Sequence, residues 1–174
     1  MGIPVFAPYI SEKSMKIGNG DFRVQAFDLT TLDGRWTHTN SDGSECPCYG
    51  FLITHKEMGR MLYITDTELI KWKFKGINHI LLGTNYDKDL VNVDNQNKAN
   101  HVFRGHLSID TACEFVKLNN SNDLQNVIMC HLSSENADMD SFIEKMKKVA
   151  GNANVDVAEP NKEWVLMKGD ECPF

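Results

Sequence analysis

Apolar residues along this chain come in short runs, separated by polar stretches rich in glycine and asparagine. Residues 22–27 alternate between apolar and polar, which predicts a strand, introduced by a turn over residues 18–21. Residues 30–48 hold little periodicity and include glycine and Pro47, so they read as a long loop. Loops of that length inside a compact domain are usually functional or mobile. Tyr49–Thr54 and Met61–Ile64 predict two more strands, joined by a turn around Glu57–Gly59. His79–Leu82 is an apolar run suited to a strand buried on both faces. Residues 88–101 are polar and read as a second loop.

Ser108 is placed to cap a helix running to about Leu118, with Ala112, Phe115 and Val116 on its apolar side. Val127–Met129 predicts another buried strand. Asp138 then caps a helix whose apolar positions Met139, Phe142, Ile143, Met146, Val149 and Ala150 follow helical spacing, with Gly151 at its end. Val155–Ala158 and Trp164–Met167 read as a closing pair of strands. The expectation is one α/β domain over residues 1–174, built on a mainly β sheet with about two helices on one face. Two helices are few for about seven strands, so the other sheet face is expected to be covered by something outside the chain.

The 174 residues are 41% hydrophobic and 24% charged, ordinary for a globular chain with a core of its own. A net charge of −6 argues against direct nucleic-acid binding through bulk charge, which needs a basic face, but leaves room for a local phosphate site. No run approaches the roughly 18 apolar residues of a membrane span, and no signal peptide is visible at the N-terminus. The five cysteines (46, 48, 113, 130 and 172) are odd in number and scattered, which fits a reducing, cytoplasmic setting better than a disulfide framework.

Candidate chemistry sits directly after the apolar strands. Asp66 follows Ile64-Thr65, His106 lies in Gly105-His106-Leu107-Ser108, and His131 lies in Cys130-His131-Leu132-Ser133. Strand ends carry rigidly held functional groups, and aspartate with histidine is the donor set of a hydrolytic zinc or manganese site. Each residue taken singly has a blander reading, as a turn residue or a satisfied structural histidine.

In order and spacing these segments resemble the metallo-β-lactamase-fold phosphodiesterases, a group that includes ribonuclease Z and small bacterial and phage-encoded hydrolases. The resemblance runs through residues 22–29, 49–53, 62–67, 78–82 and 85–87 to the two histidine turns, and covers about Gly2 to Met167. It implies half of an αββα sandwich, with Gly2–Phe6 matching a mid-domain strand. It implies that Asp66 is a carboxylate bridging two metals, that His131 is the last histidine ligand, and that His106 lies near the scissile phosphate and helps proton transfer. In such enzymes two metals clamp the attacking and leaving oxygens at phosphorus.

The departures from that pattern are large. The signature His-x-His-x-Asp-His is absent, and no His-x-His pair occurs anywhere in the chain. The next ligand histidine would fall near Thr31, where His38 could replace it only if the long loop folds back. Gly83-Thr84 stands where a glutamate of the proton-handling machinery is expected. Asp66, His106 and His131 would then be remnants, with no metal held by the chain alone and zinc or manganese only in a completed site.

The expectation is therefore a non-catalytic protein-interaction module, of the kind a phage-type inhibitor of a host nuclease or defence system would be. It would associate with a protein partner, or with itself as a homodimer, through the exposed sheet face. The alternative is a subunit of a split metal-dependent phosphodiesterase, completed by a partner carrying the missing signature. Cys46-Pro47-Cys48 is too small a set for a zinc site without two further ligands. Lys71, Trp72, Lys73 and Lys75 could stack bases, but alternation with Phe74 reads better as a half-buried strand. His55, His79 and His101 receive no role.

Overall fold

The computed structural model describes residues 14–17, 21–40, 42–94 and 96–169. The Gly2–Phe6 segment, most of the 18–21 turn and Cys172 lie outside the described residues. Strands β1 (Ser14–Ile17), β2 (Phe22–Asp28), β3 (Tyr49–His55), β4 (Gly59–Ile64), β5 (His79–Gly83), β6 (Asn126–Cys130) and β7 (Asn154–Val157) form one sheet, in sequence order. The first four are antiparallel neighbours, and β4 through β7 are parallel. Parallel pairing needs crossover connections, and here most of the helical structure lies in them. Helices α1 (Gln96–Gly105) and α2 (Ile109–Asn119) lie between β5 and β6, and α3 (Met139–Lys147) lies between β6 and β7.

Strand periodicity decides which side chains meet the helices. Leu62, Ile80 and Val127 stand in one register row, and Ile64, Leu82 and Met129 in the next. All six are fully buried, in one core with Ile109, Ala112, Phe115 and Val116 of α2 and Phe142 and Met146 of α3. Burying each large apolar side chain contributes about 1.5–3 kcal/mol. The helices start where their capping residues allow. Ser108 accepts a hydrogen bond from the Thr111 amide, and Asp138 accepts one from the Ser141 amide, so each satisfies an N–H that the first helical turn leaves without a partner.

On the other face, Phe51 pairs with Tyr63 and Ile53 with Met61, and Tyr63 pairs with Leu81. These five side chains are half-buried. The architecture is thus the α/β half-sandwich expected, with three corrections.

Residues 96–105 are helical, so α1 is a third helix where a loop was expected. Its apolar stripe is only Ala99, Val102 and Phe103, which pack with Tyr86 and Val91 in a small separate core. So few apolar positions do not register as a periodic helix. Trp164–Met167 forms no strand. Val165 is 85% exposed, and Trp164 is held by its Nε1–H donating to Asp156 across 2.9 Å. Lys71–Phe74 is not a strand either. The segment is fixed by side chains: Lys71 donates to Thr30 Oγ1, the Trp72 indole donates to the Asp28 carbonyl, and the Phe74 ring meets Phe27 at 5.0 Å. No helix among the described residues is long and apolar enough to cross a membrane.

Candidate metal centre

The carboxyl ends of parallel strands are where open α/β sheets gather ligands, because the loops there diverge above a rigid edge. Three of these ends converge here. Asp66 follows β4, Asn85 follows β5 and His131 follows β6. Asn85 ties the edge together: its amide donates to the His131 carbonyl at 2.8 Å, its backbone N–H donates to the Leu107 carbonyl at 2.9 Å, and its own carbonyl accepts from Ser133. Asp66 and His131 both adopt left-handed backbone, with φ of 51° and 59°. That conformation is uncommon for side chains other than glycine, though Asp and His tolerate it better than most, and it concentrates at functional sites.

The long loop folds back over this edge. Its anchor is Thr37, which is fully buried. The Thr37 amide and hydroxyl both donate to the Leu29 carbonyl, and the Glu68 amide donates to the Thr37 carbonyl at 2.9 Å. An Arg35–Glu68 ion pair closes the same junction. The next residue, His38, is thereby delivered beside the α1–α2 turn. There its Nδ1 lies 2.9 Å from the Gly105 carbonyl oxygen. A carbonyl can only accept, so Nδ1 carries a hydrogen, and in the neutral ring Nε2 is the nitrogen with a lone pair. That is the orientation a supporting carbonyl gives a metal-binding histidine.

His38, Asp66 and His106 form a compact group, with one ligand atom from each lying within 4.8 Å of the others. His131 Nε2 approaches the same Asp66 oxygen at 3.4 Å, and His106 Nδ1 approaches it at 3.7 Å. Both separations exceed a good hydrogen bond. Two ligand atoms sharing a tetrahedral zinc ion stand about 3.3 Å apart. Burial, reinforced by the neighbouring His131, pushes the His106 imidazole down to about 4. It is therefore neutral near pH 7 and offers a lone pair, which makes the approach to Asp66 a convergence of donors, not an ion pair.

His101, from α1, completes the histidine cluster. Its ring lies 5.8 Å from that of His106 and 6.4 Å from that of His38, and its buried Nδ1 has no hydrogen-bond partner. A buried polar atom without a partner asks for an ion or a water. The donor set (imidazole nitrogens, one carboxylate and an orphaned nitrogen beside them) fits a borderline divalent cation such as zinc.

The residues singled out from sequence are thus in one place. Asp66, His106 and His131 converge, and His38 joins them because the loop does fold back. His101, which the sequence leaves without a role, sits on a helix that its pattern does not predict. The other singled-out residues lie apart. Buried His79 bonds the Met58 carbonyl and Asn126, and His55 stacks on Phe22. Cys48 is buried with its Sγ near Thr37 and Leu29, and neither Cys48 nor Cys46 belongs to a metal-ligand group among the described residues. Gly83 has a structural cause. A Cβ there would lie 3.1 Å from the Thr65 Cα, so the close approach of β5 to the residue before Asp66 makes any side chain at 83 a tight fit that requires the backbone to give.

No family profile and no curated protein matches this sequence. Solved structures do match. A novel metallo hydrolase, Igni18 from the hyperthermophilic archaeon Ignicoccus hospitalis KIN4/I, superposes with a TM-score of 0.51 at 16% identity, covering 93% of this chain and 58% of that one. Unliganded yeast PDE1 superposes with a TM-score of 0.57 at 15% identity, covering 84% of this chain and 46% of that one. The chain has the fold of half a metallo-β-lactamase-type hydrolase. It spans about half the length of those proteins, and it is the half-sandwich with the sheet edge just described.

Proposed function

We propose that this chain supplies one half of a metal-dependent hydrolase centre acting on phosphodiesters. The observation that carries the reading is the convergence of His38, Asp66 and His106 on one point, with the His38 ring oriented by its Nδ1 contact to the Gly105 carbonyl. In this reading the three residues hold zinc or manganese, and His131 contributes through the shared Asp66 oxygen. A cation held there supplies Lewis-acid stabilisation of charge on a phosphoryl oxygen. His106 then acts as a ligand and not as a proton carrier.

The remaining ligands come from a second half-domain carrying a His-x-His-x-Asp-His segment. It docks on the sheet face of Phe51, Ile53, Met61, Tyr63 and Leu81. The half-length coverage of Igni18 and yeast PDE1 and the half-burial of that apolar face support this partner.

Zinc titration by calorimetry tests the reading. One equivalent is expected to bind, with loss of binding in H38A, D66N and H106A. Zinc uptake well below one equivalent, or uptake indifferent to all three substitutions, defeats it. Activity on a generic aryl phosphodiester is expected only after a signature-bearing half-domain is added.

Gly83 favours a second reading, a non-catalytic interaction module of inhibitor type that binds a protein or a second copy through the same sheet face. A Cβ at residue 83 would lie 3.1 Å from the Thr65 Cα, a tight contact for any side chain in the place of a proton-handling glutamate. That reading expects stable association without zinc uptake.

A further inference from the structure

Beside the histidine cluster lies a polar cavity of about 340 Å³ between α1 and the loop that carries His38. Asn100, His101 and Arg104 line it from the helix, and Thr39, Asn40 and Asp42 from the loop. His101 and Arg104 are three residues apart on one helix, which places them on the same face. His101 also belongs to the histidine cluster, so the cavity and the proposed metal group share this residue. Arg104 is exposed and makes no ion pair or hydrogen bond among the described residues. Its position in the last turn suits the helix dipole, which accounts for a cation there but not for a cavity around it. Asn100 adds an amide that donates and accepts, and Asn40, whose Nδ2 donates one hydrogen to Ser44 Oγ at 3.0 Å, has a second N–H and its oxygen to offer.

We propose that this cavity is a substrate subsite for a second anionic group carried by the phosphodiester, bound by Arg104 with hydrogen bonds from the two asparagine amides. The proposal rests on the preceding reading of the metal group. Arg104 can engage a phosphate or carboxylate with two parallel N–H donors, a strong and directional contact. Asp42 limits what enters. Its carboxylate accepts from the Ser44 amide and hydroxyl, which hold it below the ordinary carboxyl value, so the cavity suits one anionic group set against Arg104 and away from Asp42.

The test compares adenosine 3′,5′-bisphosphate with adenosine 5′-monophosphate, by calorimetry on the full chain with and without zinc. The bisphosphate is expected to bind at least about tenfold tighter to the zinc-loaded chain, a difference of about 1.4 kcal/mol. R104Q is expected to erase that advantage while zinc affinity stays unchanged, and R104K to retain part of it. Equal affinities for the two nucleotides, or a bisphosphate advantage that survives R104Q, overturns the subsite. The two readings separate cleanly. Arg104-dependent bisphosphate binding without zinc uptake keeps the subsite and removes the metal reading, whereas zinc uptake without nucleotide discrimination does the reverse.

Discussion

The Nδ1–H of His38 donates to the carbonyl oxygen of Gly105 across 2.9 Å, joining a long loop to the junction of two helices 67 residues away. Gly105 takes part twice. Its carbonyl fixes the tautomer of His38, and its lack of a side chain lets the ring approach. A Cβ on residue 105 would lie 3.1 Å from Nδ1 and 3.3 Å from Cε1 of His38.

G105A is therefore expected to displace the imidazole without unfolding the chain, because φ at this residue lies outside the left-handed region. Zinc affinity should fall about 10- to 100-fold, the loss typical when a ligand's supporting partner is disturbed. Thermal unfolding of the metal-free chain should stay near that of the parent. Unchanged zinc affinity would show that His38 is not held for a metal.

At Asp66 charge and conformation can be separated. Asparagine tolerates the left-handed backbone almost as well as aspartate, while alanine does not. D66N should keep the stability of the metal-free chain and lose zinc affinity by more than about a hundredfold, beyond the effect of a supporting residue. D66A should lose affinity and also destabilise the fold, by about 1 kcal/mol of backbone strain. The comparison is read from urea midpoints beside zinc titrations. Equal zinc binding by parent and D66N would remove the carboxylate from the site.

Gly83 bears on whether the site could ever have carried the expected glutamate in this chain. A Cβ at residue 83 meets the Thr65 Cα at 3.1 Å, and that atom is backbone, which cannot swing aside. G83A should cost about 1–3 kcal/mol through overpacking between β4 and β5. G83E should cost more, since it adds a buried carboxylate. A G83E chain as stable as the parent would mean that the β4–β5 approach yields easily. The second reading of the function would then lose its support.

What could be read in the sequence follows the physics of each element. The caps at Ser108 and Asp138 were legible because they combine a side-chain acceptor with a strong apolar period behind it. The parallel strands were legible as unbroken apolar runs. The α1 helix was not, because its stripe of Ala99, Val102 and Phe103 packs on a small secondary core among asparagines and charges. Missing α1 also hid His101, whose place in the cluster depends on helical geometry. The three-residue spacing of Ala99 to Val102 was the one local signal that could have exposed it. Asp66, His106 and His131 could be picked out as polar residues directly after apolar strands. His38 could not be placed, since its position is set by Thr37 hydrogen bonds to Leu29 and Glu68, contacts between distant segments. Trp164–Met167 failed for the opposite reason: a strand-like pattern without a ladder to join.

The stability of the α3 packing should depend on acid in a defined direction. Lys145 of α3 donates to the Asp87 carboxylate at 2.7 Å, and the Asp89 amide donates to the same side chain. The Lys145 hydrogen bond is the largest influence on Asp87, and it outweighs burial in holding the carboxyl below its ordinary value of 3.8. A group whose folded-state value is depressed stabilises the fold when ionised in both states. Its contribution is complete above the unfolded value and is lost as pH falls through the folded one. The Asp87–Lys145 pair should therefore contribute fully above about pH 5 and fade as pH drops below about 4. Lys145 is 35% exposed, so the contribution belongs at the low end for a charged hydrogen bond, about 1 kcal/mol. D87N should lower the urea midpoint at pH 7, and its deficit should shrink as pH falls below the ordinary carboxyl value of 3.8 and through the lower value the folded state imposes. A deficit that keeps its full size as pH is lowered would show that the substitution acts through something other than the ion pair, since an asparagine at 87 can still accept from the Asp89 amide.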